Sequence, residues 1–119
     1  MKVSPRRLVS WALAILVVVS GAAHWSSRHE AKQARQVYYA QESRYNGLLA
    51  MALKDSASVR TSDLDAAAHA RNLALAEHEK RWRKSDMISL CFFVAVGAHL
   101  LFGWISDRVD KRKNRANAA

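Results

Sequence analysis

One cysteine, one proline and four glycines among 119 residues put several architectures out of reach. A lone Cys91 excludes an internal disulfide and any zinc site built on several sulfurs, and within an apolar stretch it reads as a small packed side chain. With Pro5 the only proline, the chain is neither loop-rich nor of low complexity. It contains no nucleophile with an adjacent base, no phosphate loop, no dinucleotide fingerprint and no defined pair of catalytic carboxylates. A chain of this length forms one domain at most. We therefore expect no enzymatic activity and no cofactor.

Charge is missing from two long stretches. Residues 8–25 and 87–105 hold no Lys, Arg, Asp or Glu, although the whole chain carries a net charge of +9. A helix rising about 1.5 Å per residue needs about 20 apolar residues, and at least about 17, to cross about 30 Å of hydrocarbon. The second stretch meets this, and we assign residues 86–106 to a transmembrane helix. Ser85 and Asp86 are suited to capping its start, and the basic residues from Arg108 onward suit its end. The first stretch follows Lys2, Arg6 and Arg7 and ends near Ser20-Gly21-Ala22-Ala23, so it has the form of a cleavable signal or of an uncleaved anchor. Trp11 and Trp25 bracket it as interfacial residues do, and helical sequence continues beyond it. The anchor is the favoured reading of 8–25.

Basic residues set the expected topology. The tails, 1–7 and 107–119, are short and densely basic, whereas residues 26–85 spread eleven Lys and Arg over a longer segment with seven acids. The positive-inside rule then puts both termini in the cytoplasm and the middle in the periplasm of an inner membrane. Lys80-Arg81-Trp82-Arg83-Lys84, directly before the second span, argues the other way.

The middle is predicted helical: residues 26–85 have no proline, one glycine and many Ala, Arg, Glu, Gln and Leu. Ala34, Tyr38, Gln41, Tyr45, Leu48 and Ala52 recur at alternating spacings of four and three, the period of two helices wound together. Leu64, Ala68, Arg71, Leu75, His78 and Trp82 form a second, less regular seam. Between them lies the one non-periodic stretch, so 55–62 is read as a turn, with Ser62 and Asp65 as a capping pair for the returning helix. The expected fold is all-α: an antiparallel hairpin of two long helices, each with one span and a stalk, 26–54 going out and 63–85 coming back. Small seam residues bury little area, and at about 25 cal/mol per Å² such a stalk is poorly stabilised alone. It should pack against another copy or another protein. Gln41 and Arg71 are costly in a dry seam and suited to setting register.

Candidate contact residues are Tyr38, Tyr45, Leu48, Leu49, Leu75 and Trp82, since aromatic and leucine side chains supply most contact energy. Lys80, Arg81, Arg83 and Lys84, with Lys111, Arg112 and Lys113, are candidate ligands for anionic lipid headgroups. The basic tail is short, tethered and without a recognition element, so no nucleic-acid partner is expected. Five histidines do not make a metal site by spacing, and none is expected. His99 stands out as an ionisable group inside a span, where such groups turn to a partner helix or a polar cavity.

The expected role is a small inner-membrane interaction protein, an accessory or scaffolding subunit docking through its hairpin on a larger membrane assembly or on itself. Two other classes share the plan. It resembles a phage holin in being short, with few spans and a basic tail, although the long stalk weighs against this. It also resembles the span, outer helix, span and tail layout of bacterial chemoreceptors and sensor kinases, but without room for a signalling domain.

Overall fold

A computed structural model describes residues 4–118. Lys2, counted above with the first tail, lies outside these residues, as do the other residues of 1–3 and Ala119. The described residues form two helices, α1 (Pro5–Lys54) and α2 (Thr61–Ala118), and no strand. Both are long and apolar enough to cross a membrane.

Each helix boundary has a local cause. Pro5 opens α1 where a missing N–H costs nothing, and the Ser4 carbonyl accepts the Arg7 and Leu8 amides at 3.0 and 3.3 Å. After Lys54 the Asp55 carboxylate accepts the Ala57 amide at 3.0 Å, and the Ser58 hydroxyl donates to the Asp55 carbonyl at 2.6 Å. These side chains take over backbone groups that the helix end leaves open. The Arg60 carbonyl then receives the Asp63 and Leu64 amides at 3.0 and 3.3 Å, so α2 begins at Thr61.

Three local expectations are corrected. Residues 61 and 62 belong to α2 rather than to the turn, which puts Ser62 inside the first helical turn and not at a capping position. Asp63 does occupy that turn, paired with Arg60 at 3.3 Å. Ser85 and Asp86 do not cap a helix start, because α2 runs through them and their neighbouring amides are used within the helix. Ser85 is instead fully buried, and Asp86 pairs with Arg28 at 3.3 Å. The helix also continues beyond residue 106, through the basic residues that follow, to Ala118.

The chain divides into two units, and both helices contribute to each. Ser26–Asp86 is a helical hairpin closed by the turn, and Met1–Trp25 with Met87–Ala119 forms the other unit. In the hairpin the inward positions on α1 are Ser27, Ala31, Ala34, Tyr38, Gln41, Tyr45, Leu48 and Ala52. On α2 they are Leu64, Ala67, Arg71, Ala74, His78, Arg81 and Ser85. Both sets alternate three and four, the spacing that keeps one stripe of each helix against its partner. The most deeply buried members are small: Ala31 and Ser85 at 0% exposure, Ala67 at 2% and Ser27 at 5%. Small side chains let the backbones approach, and the Ser27 hydroxyl donates to that of Ser85 at 3.4 Å.

The other unit keeps the same spacing, with Ser10, Leu13, Val17, Ser20 and His24 on α1 facing Ile88, Phe92, Ala95, His99, Phe102, Ser106 and Val109 on α2. A Cβ added at Gly21 would stand 3.1 Å from the Phe92 ring, so glycine there admits the phenyl group. Ala95 is buried, whereas Gly97 and Ala98, equally small, face outward. Arg6 and Asp110 join the two helices through a 2.6 Å ion pair.

Candidate functional site

The hairpin unit has two unlike flanks. One is filled by aromatic and cationic side chains. Arg28 lies with its guanidinium 5.0 Å from the centre of the Trp82 ring, and Arg71 lies 4.4 Å over Tyr45. Tyr38 stacks on His78, with ring centres 5.9 Å apart and planes 4° from parallel, and its hydroxyl donates to Glu42 at 2.9 Å. That carboxylate acceptor, above all, raises the Tyr38 phenol above its ordinary 10.0, with partial desolvation adding to the effect.

The other flank is an open groove. Glu30, Gln33, Ala34 and Val37 of α1 and Ala74, Glu77 and Arg81 of α2 line a cavity of about 220 Å³. Arg81 bridges its walls, donating from Nε to Glu77 at 2.6 Å and from Nη1 to Glu30 at 2.7 Å. The bond from Arg81 holds the Glu77 carboxyl below its ordinary 4.5, and those to Glu77 and then Glu30 push the Arg81 guanidinium up. Charge-assisted bonds of this kind fix the relative height of two helices, although the side chains remain solvated. Apolar groups stay outside: Val37 is 56% exposed, Met51 51% and Leu73 59%. By heptad position Val37 and Met51 continue the groove wall of α1, and Leu73 flanks it on α2.

The six candidate contact residues have a different placement. Tyr38, Tyr45, Leu48, Leu49, Leu75 and Trp82 are all half-buried, and Tyr38, Tyr45 and Trp82 meet His78, Arg71 and Arg28 within the hairpin. Of the basic residues, Arg81 is committed to Glu30 and Glu77, Arg83 lies 3.9 Å from Glu79, and Lys111 pairs with Asp107 at 2.7 Å. Lys80, Lys84, Arg112 and Lys113 are exposed. His99 is half-buried on the inner stripe of α2, and its Nδ1 has no hydrogen-bond partner among the described residues; the same holds for His78 Nδ1 and Gln41 Oε1. His24 meets Ser89 at 2.9 Å and stacks on Phe92 at 5.3 Å. Among the described residues, no three His, Cys, Asp or Glu side chains gather as a metal-ligand set.

Hydrophobic periodicity missed Ser27, Ser85, Ser89 and His24, because polar residues on a buried stripe do not register as core. For Ser27 and His24 the signal is the heptad count carried back from Ala34 through Ala31. The Glu30–Arg81–Glu77 bridge has no comparable signal, since Glu30 and Arg81 lie 51 positions apart. No protein-family model, curated protein or solved structure matches the chain.

Proposed function

We propose that the chain is an inner-membrane protein with two spans, both termini in the cytoplasm and a periplasmic hairpin. In this reading it serves as an accessory or scaffolding subunit that docks on a larger membrane assembly or on another copy. The observation that carries it is where the apolar side chains point. None of the most apolar window of α1 is buried, and only 11% of that of α2 is. The core helix of a soluble protein hides such a window, whereas Trp11, Val18 and Met87 are each more than two-thirds exposed. Exposed apolar area on this scale calls for lipid or protein around it. Lys80 and Lys84 near one end of the second apolar stretch, and Lys111, Arg112 and Lys113 past its other end, suit anionic headgroups.

The docking part of the proposal rests on the open flank. The seam aromatics are engaged within the hairpin, and the groove, with Val37 on its wall and Leu73 beside it, offers apolar surface to a partner helix. The double variant Val37→Glu, Leu73→Glu tests it. We expect the variant to stay in carbonate-washed membranes but to lose its partner on gentle detergent extraction through a C-terminal tag. An unchanged complex would show that docking does not use this flank. In the same extraction a stoichiometric larger partner supports the accessory subunit. A homo-oligomer that makes cells leak small ions on overproduction supports the holin-like alternative instead.

A further inference from the structure

We infer that a cleft at the start of α1, closed on its other side by α2, holds the phosphate of an anionic phospholipid. The cleft measures about 380 Å³, with Arg6, Arg7 and Ser10 on one wall and Phe102, Ser106 and Asp110 on the other. Its charge is not balanced. Arg6 donates to Asp110 at 2.6 Å across the cleft, which neutralises one cation and ties the walls together. Arg7 has no ion pair among the described residues, and it leaves one uncompensated positive charge, the complement of a phosphodiester monoanion. A guanidinium offers a phosphate oxygen pair a two-pronged donor. The half-buried hydroxyls of Ser10 and Ser106 line the same space and supply further donors.

The second half of the argument is the mixed lining. Phe102 and Gly103 belong to the uncharged stretch of α2, and a Cβ at Gly103 would meet nothing within 4 Å, so that end is open and apolar. Arg7 and Asp110 lie just beyond the uncharged stretches of the two helices. One end of the cleft thus suits a charged headgroup and the other the glycerol and ester region. Inorganic phosphate would use only the polar end. This inference rests on the two-span reading, because a lipid reaches the cleft only if the uncharged stretches end at the bilayer surface.

Native mass spectrometry of the full chain in mild detergent, with phosphatidylglycerol or phosphatidylcholine added, tests it. The wild-type chain retains phosphatidylglycerol in preference, and Arg7→Gln lowers that retention about fivefold, the effect of one basic contact near a membrane surface. Ser106→Ala lowers it by less, and Lys54→Gln, which removes an equal charge from an exposed position of the hairpin unit outside the cleft, leaves it unchanged. Equal retention of the two lipids, or an equal loss from Arg7→Gln and Lys54→Gln, would overturn the site. Displacement of phosphatidylglycerol by inorganic phosphate at matched concentration would also overturn it, in favour of a free-anion site. Carbonate extraction of native membranes is run beside it: protein released there defeats the two-span reading itself, whereas protein retained there with no lipid preference defeats only the cleft.

Discussion

At positions 31, 67 and 85 the hairpin buries alanine or serine between its helices, at exposures of 0%, 2% and 0%. Leucine at such a point must push two helices apart. Ala31→Leu and Ala67→Leu are each expected to destabilise the hairpin by about 1–3 kcal/mol, read as a lower midpoint in thermal melts of helicity. An unchanged midpoint would mean that the helices do not meet there. Charge gives a second test. The Glu77 carboxyl is held below its ordinary 4.5 by Arg81, so the folded state binds its proton less readily than the unfolded chain does. Its contribution is present above the ordinary value and is lost as pH falls through the lowered one. Glu77→Gln should therefore flatten the acid limb of stability against pH. The Tyr38 phenol runs the opposite way: raised above 10.0, it stabilises below that pH and ceases to as pH climbs through the raised value, so Tyr38→Phe should flatten the alkaline limb. At this scale the sequence was partly legible. Tyr38, Tyr45 and Leu48 on the seam follow from spacing, whereas the burial of Ser27 against Ser85 does not, because a hydroxyl carries no hydrophobic signal and the two residues lie 58 positions apart.

The helices themselves were more legible than their contacts. Pro5 at the first helical position, unbroken helix-forming composition to Lys54 and the polar run after it mark α1 at both ends. The start of α2 was misplaced by two residues because Ser62 read as a capping side chain, whereas the first intrahelical bonds already run to the Arg60 carbonyl from Asp63 and Leu64. On the inner stripe of α2, Ala67 rather than Ala68 is the deeper residue, a distinction that two adjacent alanines cannot reveal in sequence. The alternation of three and four along both helices predicts a register effect. Inserting one alanine after Gly47 turns the following residues by about 100° and carries Leu48 and Ala52 off the seam. We expect that variant to lose protease resistance in the turn-proximal part of the hairpin. Adding seven residues to each helix at matched height, which keeps the stripe intact, should preserve it. Equal resistance in both variants would contradict a seam of this period.

For the molecule as a whole, two long helices are what composition and periodicity foretell, since stretches without charge and a middle without proline admit little else at this length. The face left open was not legible, because Val37 and Met51 repeat with the seam's own heptad but beside it, and which side of the seam stays open is decided only by what lies across from them. The central claim is that the chain leaves the cytoplasm, turns near Ser58 and returns. Its most direct test is cysteine labelling in the Cys91→Ser background, with Ser58→Cys and Asn117→Cys made singly and treated with a membrane-impermeant maleimide. In cells with a permeabilised outer membrane, Ser58→Cys should label at once and Asn117→Cys only after the inner membrane is broken, with both proteins retained in carbonate-washed membranes. Equal labelling of the two before lysis, or protein recovered in the soluble fraction, would contradict it.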